Sequence, residues 1–300
     1  MLLSKVSPDG QDGPEKETSA EAAITCRIKI TMTFSDLALA RRLERAEGYA
    51  CAQFSEARAR LFPESGSEWM EVDGATAVFD GIDAPTTQSF GAGIFEELTP
   101  SALEEMERFF FERGTAAMHE VCPMAGVAAL ALLCERNYRP VEVSNVLYRA
   151  VEKPSTDLTG NIRVREILAE EADIFGSISA RGWTHEHPEL ESFVQQMGAL
   201  CVARKNSPCF VAEVDGEAGA AGVLSIHEGV ALFGGSSTLP ELRRRGLQAA
   251  LLHERMHYAF EHGCDLAMMV AAAGSNSQRN AERKGFRVAY TRVKWKLALD

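Results

Sequence analysis

The chain has 300 residues, 46% hydrophobic and 25% charged, with a formal net charge of −12. This is the composition of a soluble globular protein with room for about two domains, and its negative charge argues against a nucleic-acid surface, which needs basic patches to neutralise phosphate. No apolar run reaches bilayer length, Met1-Leu2-Leu3 is too short for a signal core, and the seven cysteines hold no Cys-x-x-Cys pair, so the reading is a reduced, cytoplasmic protein with no membrane partner.

Residues 1–31 are rich in Ser, Pro, Gly and charge and are expected to form a disordered tail. Ser35 or Asp36 would cap a helix over 36–61, with an interruption at Gly48. Strands follow over 69–72 and 75–79 about an Asp73-Gly74 turn, then a strand over 86–95. A helix over 103–113 comes after Thr99-Pro100-Ser101, then a strand over 117–121, a helix over 125–136 and a strand over 141–151. Residues 153–160 read as a linker. Beyond it the pattern gives a strand over 162–167, helices over 170–181 and 188–202, and a hairpin of 209–214 and 218–226 about Asp215-Gly216. A strand over 230–237, a helix to about residue 262, a strand over 265–272, a helix over 277–284 and an alternating strand over 286–297 complete the chain.

The most informative stretch joins the strand at 230–237 to the helix after it. The strand loses its side chains at Gly234-Gly235-Ser236-Ser237. Pro240 turns a corner, Arg243, Arg244 and Arg245 follow, and Gly246 opens the helix. The first turn of a helix has backbone N–H groups without partners and a positive dipole end, and a glycine lets a ligand approach the backbone. Together they make a site for a phosphate or pyrophosphate. The spacing is neither Gly-x-x-x-x-Gly-Lys-Ser/Thr nor Gly-x-Gly-x-x-Gly. Arg243-x-x-Gly246-x-Gln248 resembles the acetyl-CoA loop of the GCN5-related N-acetyltransferases, Arg/Gln-x-x-Gly-x-Gly/Ala, with Gln248 departing at the last position. An ordinary basic helix start is the plain alternative for this loop taken alone.

The resemblance covers residues 161–300 and implies an α/β (α+β) fold with a mixed, mostly antiparallel sheet flanked by helices. It also implies acetyl-CoA as co-substrate, an amine of a small molecule or a peptide N-terminus as acceptor, and direct transfer between them. Backbone groups of Ser236, Ser237 and Thr238 would pair with the pantetheine arm, and those of Arg244, Arg245, Gly246, Leu247, Gln248 and Ala249 would hold the pyrophosphate. The side chains of Arg243, Arg244 and Arg245 would add charge toward the ribose phosphate. A second segment, Ser277-x-Arg279-x-x-Glu282-Arg283-x-Gly285-Phe286, resembles that of the family branch that acetylates ribosomal-protein N-termini. The Asn and Tyr of many other members are replaced by Gly274 and Ala281. Asn276, Ser277 or Asn280 would bind the pantetheine end or the thiol instead. The missing tyrosine leaves a non-catalytic acyl-CoA sensor as an alternative, and a homodimer as an option for assembly.

A weak repeat relates the halves. Gly114 answers Gly263 at an offset of 149 residues, and Asn137 answers Gly285 at an offset of 148. It suggests two acyltransferase-like domains in tandem, 32–152 and 161–300. The first carries Glu96 and Glu97 where the second has its arginines, and these would repel a pyrophosphate. The expected N-terminal copy is therefore degenerate as a cofactor site.

The strand before the loop carries no carboxylate, so His227, Glu228 or water is the candidate base and Tyr290 a candidate acid, although a polar turn and a core aromatic are the commoner explanations of these residues. His185-Glu186-His187 is a candidate border of the acceptor site. His253-Glu254-x-x-His257 spells a zinc hydrolase pattern. The helix frame buries Leu252, Met256, Ala259 and Phe260, sets His257 on the flank and turns Glu254 away, and Glu282 is a poor third ligand. Two solvent-edge histidines are the simpler explanation, and no metal is assigned.

Overall fold

Helix α1 (Leu37–Leu61) shows how the molecule is put together. Asp36 caps it, its carboxylate accepting the Leu39 N–H at 2.9 Å. Buried positions fall round most of it: Leu39, Leu43, Ala50 and Phe54 on one face, and Ala40, Glu44, Gly48, Ala52 and Ser55 on others. A surface helix has one apolar stripe; this one is enclosed, and its alanines let neighbours come close. The break expected at Gly48 does not occur. A Cβ there would meet Thr76 Oγ1 at 2.8 Å, so the residue is small because a strand crosses it.

The computed structural model describes residues 34–82, 84–154, 161–184 and 191–298. The expected tail and the His185-Glu186-His187 turn lie outside the described residues, as does most of the expected linker. The strands are β1 (Glu68–Val72), β2 (Ala75–Phe79), β3 (Gln88–Phe90), β4 (Ala117–Val121), β5 (Arg139–Ala150), β6 (Ile162–Glu166), β7 (Cys209–Val214), β8 (Glu217–His227), β9 (Val230–Thr238), β10 (Leu266–Ala272) and β11 (Arg287–Leu297). The helices after α1 are α2 (Pro100–Phe111), α3 (Gly126–Glu135), α4 (Ala172–Thr184), α5 (Glu191–Ala203), α6 (Leu247–Glu261) and α7 (Asn276–Arg283). The strand expected over 86–95 stops at Phe90, where Gly91 and Gly93 take positive φ and turn the chain away.

All of these strands form one 11-stranded sheet in the order β1-β2-β3-β4-β11-β5-β10-β9-β8-β7-β6. Neighbours are antiparallel except β3 with β4 and β9 with β10. With the edge strand β6 set aside, matching β1–β5 with β7–β11 makes the order read alike from both ends, with the last strand of each series exchanged. β11 lies beside β4, β5 beside β10, and the two long strands pair with each other at the centre.

Three apolar clusters follow this plan. One lies under the second half (Phe175, Leu200, Phe210, Leu251) and one under the first (Phe79, Leu103, Phe110, Leu133). The third joins α1 to the central strands through Leu43, Val146, Leu266 and Met268. Beside it is a buried charge network. Arg292 meets Glu47 at 2.7 Å, Glu120 at 3.0 Å and Glu44 at 3.2 Å. Burial in the first place raises the carboxyl pKa of both Glu44 and Glu120, and Arg292 offsets part of that.

Candidate active site

β9 and β10 are paired only from Val230–Leu266 to Leu232–Met268, yet β9 runs on to Thr238 and β10 to Ala272. The strands therefore part and a gap opens between their C-terminal ends. A β-bulge helps: Ala221 faces Ser237 and Val223 faces Gly234, so Gly235 and Ser236 together oppose Gly222. Gly235 takes φ +56 there.

Past the gap, Pro240–Leu242 make a 3₁₀ turn, and Arg244 and Gly246 adopt φ +63 and φ +91. Gly246 is the N-cap of α6 and supplies no side-chain cap. By contrast Thr99 Oγ1 caps α2, accepting the Ala102 N–H at 3.2 Å, and Ser275 Oγ caps α7, accepting that of Gln278 at 3.2 Å. Among the described residues nothing accepts from the backbone N–H groups of 244–249. Arg244, Arg245, Gly246, Gln248 and Ala249 are exposed, while the Leu247 side chain is core. The corner thus offers solvent a row of free amides at a positive helix end.

The side chains expected at this corner are largely committed elsewhere. Arg243 donates to Thr238 O at 3.4 Å and Gly182 O at 3.1 Å, which ties the loop to α4. Arg245 pairs with Asp215 at 2.5 Å. Ser236 O accepts from Trp183 Nε1 at 3.4 Å, and Ser237 O accepts from Gln248 Nε2 at 2.9 Å. Ser237 Oγ donates to Ile178 O at 3.0 Å. The carbonyls of Ser236, Ser237 and Thr238, expected to pair with a ligand arm, thus already hold side-chain donors. Asn276, Ser277 and Asn280 are exposed on α7, just beyond the end of β10.

The candidate acid and bases are not brought to the gap. His227 and Glu228 sit where β8 turns into β9, roughly 25 Å along the strand from Thr238. His227 stacks on Tyr49 with centroids 4.0 Å apart, and Glu228 faces Arg45 at 3.8 Å. Burial lowers the His227 pKa, which keeps the ring neutral. Tyr290 lies two strands from β10, 6% exposed, and its hydroxyl donates to Glu44 at 2.8 Å. Two clefts of ≈ 310 Å³ flank Asn206, Pro208 and Tyr258. One reaches His227 and the other Cys209, and neither includes the arginine loop.

The zinc pattern fares no better. His253 has both ring nitrogens buried without a partner, and His257 faces Glu261 at 3.5 Å. Among the described residues no group of three or more His, Cys, Asp or Glu side chains is placed to hold a metal ion. The buried stripe of α6 is Leu247, Ala250, Leu251, Arg255, Met256 and Ala259; the expected Phe260 is 42% exposed. Arg255 gives no signal in the sequence, because an arginine counts as polar in any periodicity, and Trp183 gives none because one tryptophan at a helix end carries no pattern.

Residues 164–286 match the model of the acetyltransferase (GNAT) family. Comparison with curated proteins returns no match. Among solved structures, a GCN5-related N-acetyltransferase from Kribbella flavida aligns with TM-score 0.58 at 18% identity, covering 82% of this chain and 95% of that one. One from Sphaerobacter thermophilus aligns with TM-score 0.51 at 15% identity, over 75% and 80% of the chains. A tandem GNAT protein from the clavulanic acid biosynthesis pathway aligns with TM-score 0.52 at 14% identity, over 74% of each chain. At these identities the likeness is one of fold. No helix among the described residues is long and apolar enough to cross a membrane. The chain therefore carries, over residues 164–286, a domain of the acetyltransferase (GNAT) family, within a fold it shares along most of its length with GCN5-related N-acetyltransferases, a tandem protein among them.

Proposed function

We propose that this protein is an N-acetyltransferase that holds acetyl-CoA at residues 243–249 and passes its acetyl group directly to an amine of a small molecule or a peptide N-terminus. The observation that carries this reading is the exposed, uncapped start of α6 behind Gly246, at the open end of two parted strands. A diphosphate needs such donors, and the N–H groups of 244–249 have no competing acceptor among the described residues. The thioester supplies an activated acyl carbon. The chain supplies backbone donors at the gap, and water is the proton acceptor this arrangement favours, since His227 and Glu228 lie at the far end of β9. The net charge of −12 steers cationic acceptors toward the protein. The cytoplasm, with its reducing pool, suits the six free cysteines among the described residues.

We also read 32–152 and 161–300 as two copies of one unit, joined by 153–160, with the first degenerate as a cofactor site. The mirrored strand order supports this, as does the contrast between the helix starts. α2 is closed by its own Thr99, with Glu96 and Glu97 exposed beside it, where α6 is open.

Gly246→Glu tests the assignment, because it places a carboxylate and a strained φ among the amides. Calorimetry should find acetyl-CoA binding abolished in a folded protein, and an unchanged Kd overturns the reading. Pairing it with Arg243→Glu is a harsher version, since Arg243 also anchors α4. A second reading, an acyl-CoA sensor without turnover, is favoured by one observation: Ala281, at the place of the family's tyrosine, is 4% exposed and has no hydroxyl to offer. Thiol release from acetyl-CoA with a panel of amines separates the two.

A further inference from the structure

Arg255 stands in the apolar stripe of α6 and is 1% exposed. Its Nε donates to Leu251 O at 3.2 Å. One terminal nitrogen donates to Val223 O at 2.9 Å and Gly234 O at 3.3 Å, and the other to Ser236 Oγ at 2.9 Å. The guanidinium also lies 5.2 Å from the centroid of the Phe233 ring. Among the described residues no carboxylate pairs with it, and burial alone brings its pKa down to about 10, so it stays a cation at neutral pH. A buried charge without a counter-ion costs far more than an aliphatic side chain in the same volume. Packing therefore does not explain why an arginine is there.

Its surroundings do. Room for it exists because residue 222 is glycine: a Cβ at that position would meet Arg255 Cζ at 2.9 Å. Its acceptors Val223, Gly234 and Ser236 bracket the bulge. That is the stretch of β9 beyond its last pairing with β10, where the strand has lost one neighbour and needs another constraint to keep its shape. The charge thus lies directly beneath the backbone that lines the gap.

We propose that Arg255 is a positioning residue for acyl transfer: it fixes the bulge at Gly235–Ser236 so that the β9 backbone faces the gap in one conformation, and it sets a buried positive charge beneath the place where negative charge gathers during the reaction. This rests on the acetyl-CoA reading of the loop. In the transfer, the amine lone pair forms the new C–N bond while the carbonyl π pair moves onto oxygen. That pair returns as the C–S bond breaks, its electrons leaving on sulfur. The amine proton goes to water and the thiolate takes one up. Arg255 touches none of these atoms and moves no proton; a fixed charge in a dry site favours the oxygen's transient negative charge with no reorganisation.

The test uses the full chain with Arg255→Met, Arg255→Lys and Ser236→Ala. Acetyl-CoA affinity is measured by calorimetry, stability by urea unfolding, and turnover by thiol release from acetyl-CoA with the best acceptor of a panel of primary amines and short peptides, or with water where none responds. Arg255→Met should keep the Kd within about threefold while kcat falls roughly 10- to 100-fold. Arg255→Lys should recover part of that loss, because it keeps the charge. Ser236→Ala, which releases one tether, should lower kcat by about three- to tenfold at unchanged Kd. Unchanged kcat in Arg255→Met overturns the proposal, as does a loss of kcat matched by an equal loss of affinity. Should Arg255→Met not fold, wild-type kcat in both other variants overturns it. If the wild-type protein does not bind acetyl-CoA, the loop reading fails and takes this inference with it.

Discussion

The side-chain amide of Gln248 is bonded back to Ser237: Nε2 donates to the Ser237 carbonyl at 2.9 Å, and to Thr238 Oγ1 at 2.6 Å. The residue that departs from the loop's expected small side chain therefore ties the first turn of α6 to the end of β9. It leaves the amides of 244–249 uncovered, so it does not close the corner by itself. Gln248→Ala is expected to lower stability by about 1 kcal/mol, the net worth of such partly exposed bonds. Acetyl-CoA should bind to it at least as tightly as to the wild type, because a carbonyl on β9 is released. Calorimetry on both proteins decides this; a tenfold weaker Kd would make the Gln248 amide a ligand donor.

Tyr290 and Glu44 supply a second expectation. The hydroxyl is one of the few donors reaching a carboxylate that is itself 1% exposed, and Glu44 Oε2 has no partner at all. Tyr290→Phe should cost about 1–3 kcal/mol by leaving that carboxylate poorer in donors, while thiol release at saturating substrate stays within about twofold. A large loss of kcat with little loss of stability would restore Tyr290 as the acid. The sign of the pH effect follows from burial. Glu44 has a folded pKa above its unfolded value, so its contribution to stability is fully present below about pH 4.3 and is lost as pH rises through the raised folded value. Against Glu44→Gln, the wild type should gain relative stability on acidification through that window, as urea midpoints from pH 8 to pH 4 would show.

His119 works in the opposite direction. It is 1% exposed, with Nδ1 2.6 Å from Ser89 Oγ and Nε2 2.8 Å from Tyr138 Oη, and Tyr138 in turn donates to Glu107 at 3.2 Å. Burial pushes its pKa down to about 3. The unfolded chain therefore binds a proton that the folded one refuses between that value and about 6.5, and stability falls as pH drops through this range. The slope should approach roughly 1.4 kcal/mol per pH unit from this residue. His119→Asn should be destabilised at neutral pH yet lose that slope; an equal slope in both proteins places the titration elsewhere.

What could be read from the residues was mostly local. Asp73-Gly74 and Asp215-Gly216 mark hairpin turns, the strands about them pair as expected, and the Pro240–Gly246 corner has the positive φ that its glycine suggests. Distance along the chain misled where side-chain pattern was silent. His227 is close to the arginine loop in sequence but lies at the far end of a nine-residue strand. The partners of β5 and β11 were not legible either. Both are long alternating strands, and alternation states that a strand is half-buried without saying which neighbour it takes. Arg255 hid inside an apolar stripe, visible only once Gly222 is seen to make room for it.

The exchanged strands carry the last expectation. β10 has β5, from the other half, as its partner over seven residues, but meets β9 over only three. β11 has no partner within residues 161–300, since its neighbours are β4 and β5. A fragment of 161–300 alone would expose both edges of β11 and one edge of β10, and unpaired edges of this kind recruit other chains. It should therefore be aggregated or dimeric on size exclusion, with acetyl-CoA affinity reduced more than about tenfold because the β10 wall of the gap is unsupported. Adding 32–152 in trans should restore a one-to-one complex and recover binding. A monomeric, well-folded 161–300 fragment with wild-type affinity would mean that β11 folds back beside β10 on its own, and that the exchange is dispensable for the site.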